Sequence, residues 1–154
     1  MKRILMFVFT MTIALFLINF SNVSAKQKMS STKYKAELAS KGLASYGKTK
    51  ARGHAEFDFS KDGKELTYKL YVYGIDSVSM AHIHHGPFGK EGPIVVWLYK
   101  KAVTGKFSGL LSKGTITDKD TNLDSLRTWM NNGDTFVLVH TQKFPNGEIG
   151  GKIQ

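Results

Sequence analysis

Between Tyr34 and Ile75 apolar side chains return at every second position. In YKAEL (34–38) they are Tyr34, Ala36 and Leu38; in HAEFDF (54–59), Ala55, Phe57 and Phe59; in LTYKLYVYGI (66–75), Leu66, Tyr68, Leu70 and Val72. A period of two sets one face of an extended chain against a core and the other against solvent, a pattern that no helix shares. The last two runs are separated by Ser60-Lys61-Asp62-Gly63-Lys64, an Asp-Gly turn that joins them as a hairpin.

The second half continues in kind. GPIVVWLYK from Gly92 and TFVLVHT from Thr135 are unbroken apolar runs of strand length, which suit strands covered on both faces. FSGLLSKGTIT from Phe107 reads as one or two edge strands, with Gly109 and Gly114 as bulge or bend sites, and GEIGGKI from Gly147 closes the chain. One segment departs: in TDKDTNLDSLRTWMNNG, Leu123, Leu126 and Met130 recur at helical spacing and Gly133 stands where a helix would stop. The expected fold class is all-β, an antiparallel β-sandwich or Greek-key barrel of about eight strands with one short helical crossover.

The N-terminus bounds where such a fold would work. MKRILMFVFTMTIALFLINFSNVSA opens with Lys2 and Arg3, runs apolar to Phe20 and ends on Val23-Ser24-Ala25, the pattern of a secretory signal peptide over residues 1–25; an uncleaved anchor is the alternative. Residues 26–32 are expected to be a flexible polar tail and 33–154 one domain, secreted or held in the cell envelope, monomeric and not an integral membrane protein after cleavage. With no cysteine in an exported chain, the core must stand without disulfides, and thiolate zinc sites are excluded. The net charge of +10 suits anionic envelope polymers or an extracytoplasmic protein partner, but the basic residues are scattered, as on an ordinary soluble surface. No nucleic-acid-binding motif is present, nor a Gly-x-Ser-x-Gly elbow or a phosphate-cradling loop.

Chemistry concentrates in SMAHIHHGP (79–87), which holds three of the five histidines. On a strand His82 and His84 project to one face about 6.6–7 Å apart, so both rings can reach one ion, and Met80 shares that face. Ala81 and Ile83 point the other way; His85 either follows them or leaves the strand at Gly86-Pro87. His140 alternates with Phe136 and Leu138 at the end of a buried strand, where an imidazole must find a hydrogen bond or a metal. Imidazoles suit copper, zinc or nickel and a thioether favours Cu(I), so His82, His84 and His140 with Met80 make a copper-type set, zinc being the second choice. His54 and His85 are further candidate ligands, and Glu148 a carboxylate that can orient a histidine or pair with a lysine. The competing reading is a core-edge histidine cluster bonded to backbone carbonyls or to the Thr141 hydroxyl, which is the more ordinary fate of buried histidines.

The succession YKAELAS, GHAEFDFSKDGKELTYKLYVYGI, SMAHIHHGPFGKEGPIVVWL, GLLSKGTIT and NNGDTFVLVHTQKFPNGEIGGKI resembles the CHRD domain, named after chordin, over nearly all of residues 33–154. Two positions depart from the family pattern: His85 is inserted between His-Ile-His and Gly-Pro, and Gly150 stands where the family often has arginine. The His-x-His pair with a later Val-His is also similar to the copper half of Cu/Zn superoxide dismutase, which implies His82, His84 and His140 as ligands; the zinc loop, the disulfide cysteines and the anion-steering arginine of that enzyme have no counterparts. Three functions follow as expectations. The first is a non-enzymatic binding or structural module with a three-histidine metal site. The others are a copper-only dismutase-like enzyme and an extracytoplasmic metal-handling protein.

Overall fold

The computed structural model describes residues 32–43 and 49–154, so the expected signal segment and nearly all of the tail lie outside the described residues. Eight strands and one helix follow in the order β1 (Lys33–Ala39), β2 (Arg52–Phe59), β3 (Glu65–Asp76), β4 (Val78–His85), β5 (Ile94–Tyr99), β6 (Lys106–Thr117), α1 (Leu123–Asn132), β7 (Thr135–Thr141) and β8 (Ile149–Lys152). All pairings are antiparallel, in one sheet ordered β5-β4-β7-β8-β1-β2-β3-β6.

Connectivity forces that sheet to curl. Ser77 alone joins β3, near one end of the sheet order, to β4, near the other, which a flat sheet would not allow. Ser77 takes a left-handed conformation, φ 53°, at this corner. The two sheet ends meet at β5 and β6, giving a nearly closed barrel. Side chains stitch this seam: the Leu98 carbonyl of β5 accepts hydrogen bonds from the Tyr68 hydroxyl (2.8 Å) and the Ser112 hydroxyl (2.7 Å).

The alternation read from the sequence fills the interior, where Leu38, Ala55, Phe57, Leu66, Leu70, Val72, Ala81, Ile83, Val137 and Val139 form one core. The hairpin at Asp62-Gly63 forms as expected, Asp62 accepting from the Ser60 hydroxyl and the Lys64 amide. The helix buries Leu123, Leu126 and Met130 against that core, is capped by the Asn122 side chain and ends at Gly133, φ 72°.

Two expectations need correcting. The run at Ile94–Tyr99 is covered on one face only, with Ile94 42% and Trp97 45% exposed, because β5 ends the sheet and only Val96 and Leu98 turn inward. In β6, a single strand, the pairing with β3 slips around Leu111 and beyond Gly109; Gly114 is regularly paired and lies beneath the Tyr68 ring, which a Cβ there would touch. By contrast, every residue of β7 is buried, as its unbroken apolar run requires. Val137 and Val139 enter the barrel, while Phe136 and Leu138 pack outside it with Leu43 and Phe88. That second, outer layer is what the histidines occupy.

Candidate metal centre

On β4 the period of two divides the side chains as the sequence implies: Ala81 and Ile83 enter the main core, and His82 and His84 face outward. The antiparallel register with β7 sets His82 opposite Leu138, His84 opposite Phe136 and Met80 opposite His140, so His140 arrives on the same face as the pair. A slip in the pairing between Val78 and Met80 lets Val78 turn into the core although it lies two residues from Met80. One potential ligand atom from each of His82, His84 and His140 lies within 4.8 Å of the others. Although they face away from the barrel interior, the three are 1%, 9% and 6% exposed.

What surrounds them explains that burial. The His84 ring stacks on Phe136 at 5.0 Å, and His82 meets Trp97 of β5 edge to face at 4.2 Å. Phe88, on the loop after β4, packs against Phe136 and over Gly150, where a Cβ would sit 3.2 Å from its ring. The site's neighbourhood therefore holds an aromatic ring beside the position where the family often carries arginine.

Hydrogen bonding fixes the tautomers. His84 Nδ1 lies 2.8 Å from the Gly92 carbonyl and His140 Nδ1 2.9 Å from the Pro145 carbonyl. A carbonyl only accepts, so both Nδ1 atoms carry the proton and both Nε2 atoms present a lone pair. Those Nε2 atoms, and both nitrogens of His82, are buried without a hydrogen-bond partner. Buried polar atoms are normally paired, and each unpaired one costs about 1–3 kcal/mol. One lone pair from each of the three adjacent rings makes a donor set that could hold a metal ion, and the residues fit an imidazole-seeking one.

The carbonyl hooks come from Gly92 and Pro145, to which the sequence assigns no such role. Gly92 follows the Gly-Pro loop, and a Cβ there would collide with the His85 carbonyl oxygen, so only glycine brings its own carbonyl to His84. Pro145 is held by the β7–β8 turn, in which Thr141 Oγ1 accepts from the Phe144 amide (3.1 Å) and donates to Glu148 Oε2 (2.8 Å). Among the described residues the buried Glu148 side chain hydrogen-bonds to Thr141 rather than to a histidine or a lysine; it braces the turn whose carbonyl orients His140. The remaining candidates lie apart from the trio. His85 follows Ala81 and Ile83 and stacks on Trp129 of the helix at 4.1 Å, while His54 on β2 stacks on Tyr71 at 4.6 Å.

Burial, reinforced by the neighbouring His140 and His84 rings, lowers the pKa of His82 to about 4. His140 is also lowered, chiefly by burial and against the pull of its carbonyl bond. His82 and His140 are therefore held in the uncharged form in which an imidazole binds a metal. The sign for metal-free stability follows. Below about pH 6.5 the unfolded chain protonates this histidine while native His82 stays neutral until about pH 4, so stability falls through that window, by about 3 kcal/mol from His82 alone. Urea midpoints between pH 7 and pH 4 check this, and His82→Leu should flatten the curve; an unchanged slope in that variant would contradict the assignment.

Fold and site together define an all-β barrel domain carrying a three-histidine group able to hold a metal ion. Its sequence matches the CHRD domain model over residues 34–153, and the chain belongs to the CHRD domain family. No curated protein and no solved structure matches it. CHRD domains are typically extracellular, and no helix among the described residues is long and apolar enough to cross a membrane.

Proposed function

We propose that this chain is an exported, non-enzymatic CHRD module that binds one copper ion through His82, His84 and His140. The observation that carries the reading is the pairing of opposite fates on the same rings: Nδ1 of His84 and of His140 is tied to a carbonyl, while Nε2 is buried with no partner. A purely structural histidine cluster would have satisfied both nitrogens, since each orphan costs stability and returns nothing without a ligand. Copper is favoured over zinc by its higher general affinity for nitrogen ligands and by Met80, which stands directly opposite His140 in the β4–β7 register and offers a thioether suited to Cu(I). The signal-like N-terminus and the absence of thiols agree with a site working outside the cytoplasm.

Calorimetric titration of residues 26–154 with Cu(II), with Cu(I) under reducing conditions, and with Zn(II) tests the reading. One equivalent of copper is expected to bind, more tightly than zinc, and His140→Ala is expected to weaken it by at least about 100-fold by removing one of three ligands. Copper binding no tighter in the wild type than in that variant would sink it.

A further inference from the structure

The large apolar side chains that are exposed among the described residues, Ile94, Trp97 and Leu110, all lie on β5 and β6, the strands that flank the barrel seam. Each of these strands pairs on one side only, β5 with β4 and β6 with β3, so no backbone ladder crosses the seam. An edge without a ladder presents amides and carbonyls to any chain able to pair with them. The two edges do not close on each other: a cleft of about 480 Å³ lies between residues 94–97 of β5 and 114–116 of β6, with Tyr68, Lys100 and Lys119 in its wall. Trp97 lines this cleft while its ring is held from two sides, edge to face by His82 at 4.2 Å and by the Lys100 ammonium 5.1 Å from its centroid. A tryptophan fixed in this way and still 45% exposed is the type of residue that anchors a partner.

Charge decides what kind of partner. Lys100, Lys101, Lys106, Lys113 and Lys119 lie on or beside these two strands, and none forms an ion pair among the described residues. The acids nearby are taken up in their own turn, Asp120 accepting from the Thr117 amide (2.9 Å) and Asp118 from the Leu123 amide (2.9 Å). Lysines along a free edge repel a second copy of a chain whose net charge is +10, and they attract an acidic strand. We infer that the seam between β5 and β6 is a docking site for an extended acidic segment of a partner protein. That segment adds main-chain hydrogen bonds along the free edge of β5 and sets apolar side chains on Ile94 and Trp97, while its carboxylates meet Lys100 and Lys119. The unpaired edge favours a peptide over an anionic polymer or lipid surface, neither of which can extend a sheet.

The probe is a short peptide of alternating glutamate and valine, titrated into metal-free protein spanning residues 26–154 while the backbone amides are followed by NMR. Saturable shifts centred on β5, with amide exchange of that strand slowed in the complex, are the expected result. Lys100→Glu combined with Lys119→Glu, both on exposed residues, should weaken binding about tenfold, and a lysine-valine peptide should not bind. Absence of saturable binding overturns the inference, as does binding that ignores the charge reversal. Binding of polyphosphate or of phosphatidylglycerol vesicles in place of the peptide, with β5 exchange unchanged, overturns it in favour of an anionic surface. Because no copper is present, the outcome is independent of the metal reading above.

Discussion

Replacing His82 by leucine is expected to make the metal-free protein more stable, by about 1–3 kcal/mol, while removing its copper affinity. The imidazole of His82 is buried with both nitrogens unpartnered, wedged against Trp97, His84 and His140. An apolar side chain of similar bulk relieves the desolvation of those two polar atoms and keeps the contact with Trp97. Urea unfolding at neutral pH reads the effect as a raised midpoint with an unchanged slope. A histidine kept for the fold would respond in the opposite direction, so a destabilised His82→Leu protein would contradict the metal reading as directly as retained copper binding would. Residues held at a cost to stability are a mark of functional sites, and His82 is the residue here where that cost is most concentrated.

Copper loading should raise the melting temperature by roughly 15 °C. A ligand that binds only the native state stabilises it by about 4 kcal/mol when its free concentration is a thousand times its Kd, and in a domain of about 120 residues each kcal/mol moves the midpoint by roughly 4 °C. The shift should saturate near one equivalent, reverse with a chelator and vanish in His140→Ala. Trp97 supplies a second readout, because its ring lies 4.2 Å from that of His82 and Cu(II) at the site should quench its fluorescence. A melting temperature indifferent to copper would show that the orphaned nitrogens serve no ion.

Much of this protein was legible in its residues because a period of two leaves little choice. The faces read for β1, β2 and β3, the helix stop at Gly133 and the separation of Ala81 and Ile83 from His82 and His84 all follow from where a side chain must point once its backbone is extended or helical. The exposed face of β5 was not legible. An apolar run looks the same whether a strand is central or terminal, and only the sheet order makes Ile94–Tyr99 an edge. Gly92 and Pro145 were equally hidden, since their contribution is a carbonyl oxygen and every residue has one.

The site divides in the same way. Sequence by itself determined that His82 and His84 share a face, because their spacing of two residues is a local property of the strand. It also determined that His140 lies with Phe136 and Leu138. Whether that third ring meets the first two was decided by the β4–β7 register, in which a slip of one residue would turn His140 into the barrel and dissolve the group. The packing of Leu43, Phe88 and Trp97 around the outer face then settled that three outward-facing histidines are buried, and burial is what makes their free nitrogens costly without a ligand. Local geometry fixes the direction of a side chain; only long-range pairing and packing fix its neighbours, and a metal site is made of neighbours.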